Sequence, residues 1–414
     1  MSAQPPVYDP PVYDPIDPAL RDNPFAVFAR LREEDPVHWS PRLKAWILTR
    51  YEDVRRAHVA EEFSPDRITP FYTKLPEADR SILAELVHYL NLWLVFRDPP
   101  EHTRLRKLLN VGFTPPAIRE LEPMVVETVN RLLDGLEGDR GSVVDMVARF
   151  ASPLPALVIM SMLGVPHDML TRVKGWSDEM VLFIGGAQDV PDKYARARDG
   201  AHQMAAYFRD LIAERRRAPQ SDILSRLIMA RDEDNDALSD DELIASSMLM
   251  LFGGHETTTN LIASSVNLLC RHPDAAHTLR QDPAAVDRAL EEVMRFDGPS
   301  NSSARIVAVE HTLGTKLLKP GQRVFAMIAA ANRDPAEFTD PDRFDIGREQ
   351  NRHLTFGVGR HFCIGSNLAR LEGRIAVTTL LKRIPSLALA ENDAPERLDA
   401  IIMRGFKRLP VRLG

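Results

Sequence analysis

Apolar positions recur at helical spacing along most of the chain. Phe25, Val27, Phe28 and Leu31 mark one face of a first helix, with Pro24 in its first turn. Val37-His38-Trp39 and Ala45 to Thr49 are short strand-like runs around Pro41-Arg42-Leu43-Lys44, and they predict a hairpin. Tyr51 to His58 reads as helix and Phe63 to Pro76 as loop. From Ile82 to Phe96 the chain is almost continuously apolar, until Asp98-Pro99-Pro100 stops it. Helical periodicity then runs through Pro115 to Leu136, Val143 to Leu163, Met169 to Phe183 and Asp199 to Arg216, with a flexible break over 184–192. Arg305 to Val309 and Val324 to Ile328 read as strands around a turn at Lys319-Pro320-Gly321-Gln322. The pattern predicts a mainly α fold with small β-sheets.

One helix should dominate. Ser239-Asp240-Asp241-Glu242 has the spacing of a capping box, and nothing stops the helix before His272-Pro273. About thirty residues make a rod of roughly 45 Å. Ile244 and Met248 to Phe252 cover nearly every face, so the rod is buried. Yet its middle reads Gly253-Gly254-His255-Glu256-Thr257-Thr258-Thr259. Each glycine costs ~1 kcal/mol against alanine, and a buried glutamate needs a partner or water. Local preference opposing the global fold marks a functional kink.

Composition narrows the class. With 44% hydrophobic and 27% charged residues over 414 positions, the chain is an ordinary globular protein. No interior linker is rich in Gly, Ser or Pro, so residues 23–414 read as a single domain, after a mobile proline-rich arm over 1–22 that carries a duplication from Pro5 to Pro15. A net charge of -7 argues against nucleic acid. Two cysteines, Cys270 and Cys363, make no disulfide framework and point to a reducing, cytoplasmic setting. Neither a signal peptide nor a run of about 18 apolar residues appears, so no membrane partner is expected.

Cys363 is the chemically distinctive residue. It lies in Phe356-Gly357-Val358-Gly359-Arg360-His361-Phe362-Cys363-Ile364-Gly365, just before a helical run from Asn367. The glycines let the backbone turn tightly and approach a flat partner. A cysteine beside a helix start is expected to favour the thiolate, a soft ligand for iron.

That stretch fills every fixed position of Phe-x-x-Gly-x-[Arg/His]-x-Cys-x-Gly and resembles the haem-binding signature of the cytochrome P450 superfamily. The resemblance implies a soluble bacterial haem-thiolate monooxygenase with the P450 fold, a triangular prism holding haem b between the central helix and the helix after Cys363. Cys363 would ligate the iron, with Phe356 and Gly357 against the cofactor. The central segment resembles the family's acid and alcohol signature, giving Glu256 and Thr257 the delivery of protons. His102, Arg106, Arg305 and His361 would hold the haem propionates. Glu292 and Arg295, with Arg343 of Pro341-Asp342-Arg343-Phe344, resemble a buried network that steadies the cysteine loop.

The substrate pocket would draw on Tyr72, Leu86, Leu90, Trp93, Leu94, Gly253, Ser300 and Met403, and suit a small to mid-sized apolar molecule with one oxygenated end. Electrons would come from a separate ferredoxin or flavodoxin and its reductase, because nothing follows Gly414 and two cysteines are too few for a four-thiolate cluster. Arg104 and Lys107 are candidates for meeting an acidic donor, and the protein is expected to be a monomer. The rival readings are a peroxide-driven oxygenase of the same fold and a haem-binding sensor without turnover.

Overall fold

The computed structural model describes residues 13–15, 17–184, 190–231, 235–384 and 386–414. Its longest element is the central helix, Asp240–Arg271. Ser239 accepts the Glu242 N–H while the Glu242 carboxylate accepts the Ser239 N–H, so the predicted capping box forms. The helix ends where Pro273, lacking an N–H, starts the next one. Around the rod pack Pro153–Leu163, Lys193–Arg217 and the helix after the cysteine, Ser366–Arg383. Pro153–Leu163 is apolar on nearly every face and almost wholly buried, as a helix sandwiched on all sides must be.

The five-stranded sheet runs Val37–Ser40, Ala45–Leu48, Arg323–Ala326, Ser303–Val307, Phe63–Ser64. The predicted hairpin pairs Val37 with Leu48, and its inner strand then lies parallel to Arg323–Ala326. Phe63 to Pro76 is not all loop. Phe63–Ser64 closes the sheet edge against Ile306 and Val307, and Thr69–Tyr72 forms a short helix. Val143–Asp145 is a strand where periodicity predicted helix, held by antiparallel pairing to Pro410–Leu413 at the other end of the chain.

The arm also differs from expectation. Pro18–Asp22 is a helix capped by Asp17, and Tyr13 is buried with its ring 5.0 Å from that of Phe28. Asn301 donates to the Tyr13 hydroxyl and Arg404 to the carbonyls of Arg21 and Asp22. Tyr13, Arg21 and Asp22 are therefore docked against the body of the protein. The rest of the proline duplication and the 185–189 part of the predicted break lie outside the described residues.

Candidate active site

The cysteine loop is closed by a hydrogen bond from the Cys363 N–H to the Phe356 carbonyl, 2.8 Å. Gly359 has φ +74°, and a Cβ there would come within 2.8 Å of Val59, so geometry and space both demand glycine. Cys363 is exposed to solvent although densely surrounded, which describes the floor of a cleft. Burial pushes its thiol pKa up, against a backbone hydrogen bond from Gly365 and the charges of Arg106 and Arg370. Burial thus works against the thiolate that the helix start and the two arginines favour. A bound metal ion, which deprotonates a coordinating thiol, would supply the missing charge.

Two ion-pair networks brace the loop. Glu292 and Arg295, both fully buried, make paired bonds of 2.7 and 2.8 Å. The second arginine is not Arg343, whose side chain is 68% exposed. It is Arg348, whose Nε reaches Glu292 Oε2 at 3.1 Å, with Asn351 and the Asp345 N–H as further donors. Arg343 contributes its carbonyl, which accepts from Arg295. In the neighbouring network Arg370 holds Glu291 at 2.6 and 3.0 Å, His353 donates to Glu291 at 3.0 Å, and the Arg370 guanidinium lies 4.5 Å over the Phe356 ring. Burial opposes charge on Glu291, but the bonds from Arg370 and His353 prevail and bring its pKa down to about 2.

His102 and His361 converge with ring centroids 4.1 Å apart. Each leaves a buried Nε2 without a partner, which asks for a ligand. Burial, then the neighbouring cations, lowers the pKa of His361 to about 3, and His102 shifts the same way. Arg305 is buried, bonds only the Ala304 carbonyl and makes no ion pair among the described residues; burial lowers its pKa to about 10. Two imidazoles and a guanidinium lacking an anion suit the carboxylates of a haem edge. Arg106 is placed differently, donating to the Phe362 carbonyl at 2.7 Å and so tying its helix to the cysteine loop. Arg104 binds Asp236 and Glu242 at the start of the central helix, which leaves it poorly disposed toward an electron donor.

Midway along that helix the Thr257 hydroxyl donates to the Gly253 carbonyl at 2.8 Å, a bond that competes with the helix ladder and favours bending. A Cβ at Gly253 would meet only Leu249, at 4.0 Å, so the helix surface is open there, whereas one at Gly254 would press on Ile159 at 3.3 Å. Glu256 keeps 31% of its side chain exposed, with His255 3.6 Å away. Burial raises its pKa against the pull of Lys174. His255 in turn bonds Ser152 at 3.2 Å.

The predicted pocket residues divide. Leu86, Leu90, Trp93 and Leu94 belong to the main hydrophobic core, although Trp93 reaches the open part of the central helix by a 5.3 Å contact with Phe252. Tyr72 is half-buried and donates to the Arg80 carbonyl, while its neighbour Phe71 lines a cavity of about 370 Å³. Ser300 pairs with Met403 across the tail turn, and Met403 faces a smaller cavity under the N-terminal segment. Ile401 and Ile402 line the larger one. Residue order could not separate these neighbours, because alternation along an irregular turn is not fixed by sequence.

Sequence reasoning also passed over Glu291, Arg348, Arg67 and Glu372. Glu291 adjoins Glu292 and could have been paired with it. Glu372, inside the cysteine helix, is buried with Oε2 unpartnered, and burial holds its pKa well above the usual carboxylate range. No pattern announces such a residue. Among the described residues there is no helix long and apolar enough to cross a membrane.

The chain resembles known proteins along nearly its whole length. The sequence profile of the family described as Cytochrome P450 matches residues 21–404. Vitamin D(3) 25-hydroxylase of Pseudonocardia autotrophica is 39% identical over 95% of this chain and 94% of its own. The biotin biosynthesis cytochrome P450 of Bacillus subtilis is 36% identical over 94% and 96%. The crystal structure of P450BioI in complex with hexadec-9Z-enoic acid ligated acyl carrier protein superposes with a TM-score of 0.88 at 34% identity, covering 96% of this chain and 99% of that one. By likeness along nearly its whole length, in sequence and in fold, the chain belongs to the cytochrome P450 family and is a haem-binding monooxygenase.

Proposed function

We propose that the protein hydroxylates, or otherwise oxidises, a small to mid-sized apolar organic substrate with O2, using electrons from a separate ferredoxin or flavodoxin and its reductase. One oxygen atom enters the substrate and the other leaves as water, so each turnover consumes two electrons and two protons. Bound haem supplies the one-electron and O2 chemistry that side chains lack. Cys363 would hold its iron, and His102, His361 and Arg305 its carboxylates, with Phe356 and Gly357 against the ring. Arg106 would serve by fixing the cysteine loop.

The observation that carries the reading is the Thr257 hydroxyl turned onto the Gly253 carbonyl beside Glu256. Glu256 is partly open to water and its pKa is raised, which suits a group that takes a proton from solvent and gives it up inward. A peroxide-driven enzyme has no use for such a pair, and neither has a sensor. The apolar substrate accords with relatives named for vitamin D(3) and seen with a hexadec-9Z-enoic acid carrier. We infer a single-domain monomer working in the cytoplasm.

Reconstitution with a ferredoxin, its reductase and NADPH tests this. Thr257→Ala should keep consuming NADPH while product per NADPH falls about tenfold or more, the size of a lost positioned proton donor. Turnover driven better by hydrogen peroxide than by electrons, and indifferent to Thr257, would overturn it.

A further inference from the structure

The cavity of about 370 Å³ has a composition that an apolar substrate alone does not explain. It lies between the Thr69–Tyr72 turn, the facing ends of helices Leu170–Ile184 and Lys193–Arg217, the five-stranded sheet and the tail turn. Phe71, Phe183, Phe325 and Ile402 give it greasy walls, and the Phe71 and Phe183 rings meet edge-on at 5.7 Å. Four cations line it as well, Arg42, Arg67, Arg323 and Lys193, and among the described residues no Asp or Glu does. In a chain of net charge -7 that is a strong local excess.

Arg42 pairs with Asp14, and Lys193 lies 5.3 Å over the Tyr194 ring. Arg323 is exposed at the start of its strand. Arg67 is half-buried with its guanidinium 5.1 Å over the Phe96 ring, and neither arginine makes an ion pair among the described residues. Burial and the repulsion of Arg305 and Arg323 together lower the pKa of Arg67 to about 10. Arg305 has its own use, toward the haem carboxylates. Arg67, part-buried beside two like charges and without an ion pair among the described residues, is unfavourably placed until an anion joins it.

We propose that Arg67 and Arg323 bind the anionic end of the substrate, a carboxylate or a phosphate, while its apolar body lies against Phe71, Phe183 and Ile402. The substrate class is thus an anionic amphiphile, and this rests on the monooxygenase reading above. The pair selects rather than reacts: neither arginine takes part in oxidation. Arg67 is the more discriminating, because its aromatic neighbour and partial burial fix its guanidinium.

Binding of matched probes to the haem-loaded protein tests this without turnover. Dodecanoate, dodecyl phosphate and dodecanol, titrated below their micelle concentrations and followed by calorimetry and by the Soret band, differ in the end group. An anion should bind about tenfold or more tighter than the alcohol, as a desolvated charged hydrogen bond allows, and the gap should narrow as salt rises. Whether dodecanoate or the phosphate binds better identifies the anion. Arg67→Gln and Arg323→Gln should each weaken anion binding about tenfold and leave dodecanol unchanged, while Arg67→Lys keeps most of the preference. Equal affinity for alcohol and anions in the parent protein would overturn the proposal, as would variants that keep the full preference. Loss of haem from Arg67→Gln would overturn the part given to Arg67 by placing it with the cofactor. Anion preference retained in a protein that yields no product would instead count against the monooxygenase reading alone.

Discussion

Glu292 carries two arginines and two further donors while fully buried, so its carboxylate is hard to remove. Glu292→Ala strands Arg295 as a buried charge and removes one partner of the part-buried Arg348, and an uncompensated buried charge costs about 3–5 kcal/mol. Chemical denaturation should show that loss for Glu292→Ala and a smaller, clear loss for Arg348→Ala. Arg343→Ala should stay within about 0.5 kcal/mol, as exposed side chains do. The Glu-x-x-Arg pair was legible because three-residue spacing on a helix fixes which side chains meet. Arg343 was misjudged because the segment at Pro341 to Arg348 is a series of turns, with Asp340 at φ +46°, and in a turn the backbone decides which arginine points inward. Glu291 sets an acid limit at the same scale. Its pKa is depressed from 4.5 to about 2, so its contribution is intact above pH 4.5 and is lost as pH falls through about 2. Glu291→Gln should flatten that limb of the stability–pH curve.

The central helix was the most readable element. Its cap and its length were both present in the local pattern, since each depends on residues within a few positions of one another, and the helix runs unbroken through the predicted kink at Gly253 to Thr259. Ser239→Ala removes one half of the capping box and should lower stability by ~1 kcal/mol in a denaturant titration, with little effect on haem content. Pairings between distant segments were not readable. Val143-Val144-Asp145 looks like the edge of a helical run until Pro410–Leu413 arrives to pair with it, and Phe63-Ser64 is a strand only because Ile306 and Val307 offer an edge. Side-chain alternation at the tail turn failed for the same reason. Backbone bonds from Asn301 and Ser302 to the Ile402 carbonyl hold the turn so that Ile401 and Ile402, not Met403, line the larger cavity.

Across the whole molecule, distant stretches meet at the cysteine loop. The helix Glu101–Leu109 brings His102 against His361 and Arg106 onto the Phe362 carbonyl. The sheet adds Arg305, whose charge is felt by both His361 and Arg67. The approach of His102 to His361 and the pairing of Glu292 with Arg295 could be named from the sequence, because short motifs in a fixed order carry them. The substrate's surroundings could not, because they come from turns whose facing depends on the completed fold. The claim on which the account stands is that Cys363 ligates haem iron through its sulfur. The reduced, CO-treated protein should show the Soret shift of a thiolate-ligated haem, and Cys363→Ala should lose it even when haem is retained. Persistence of that band in Cys363→Ala, or its absence from the haem-loaded parent, would contradict the account.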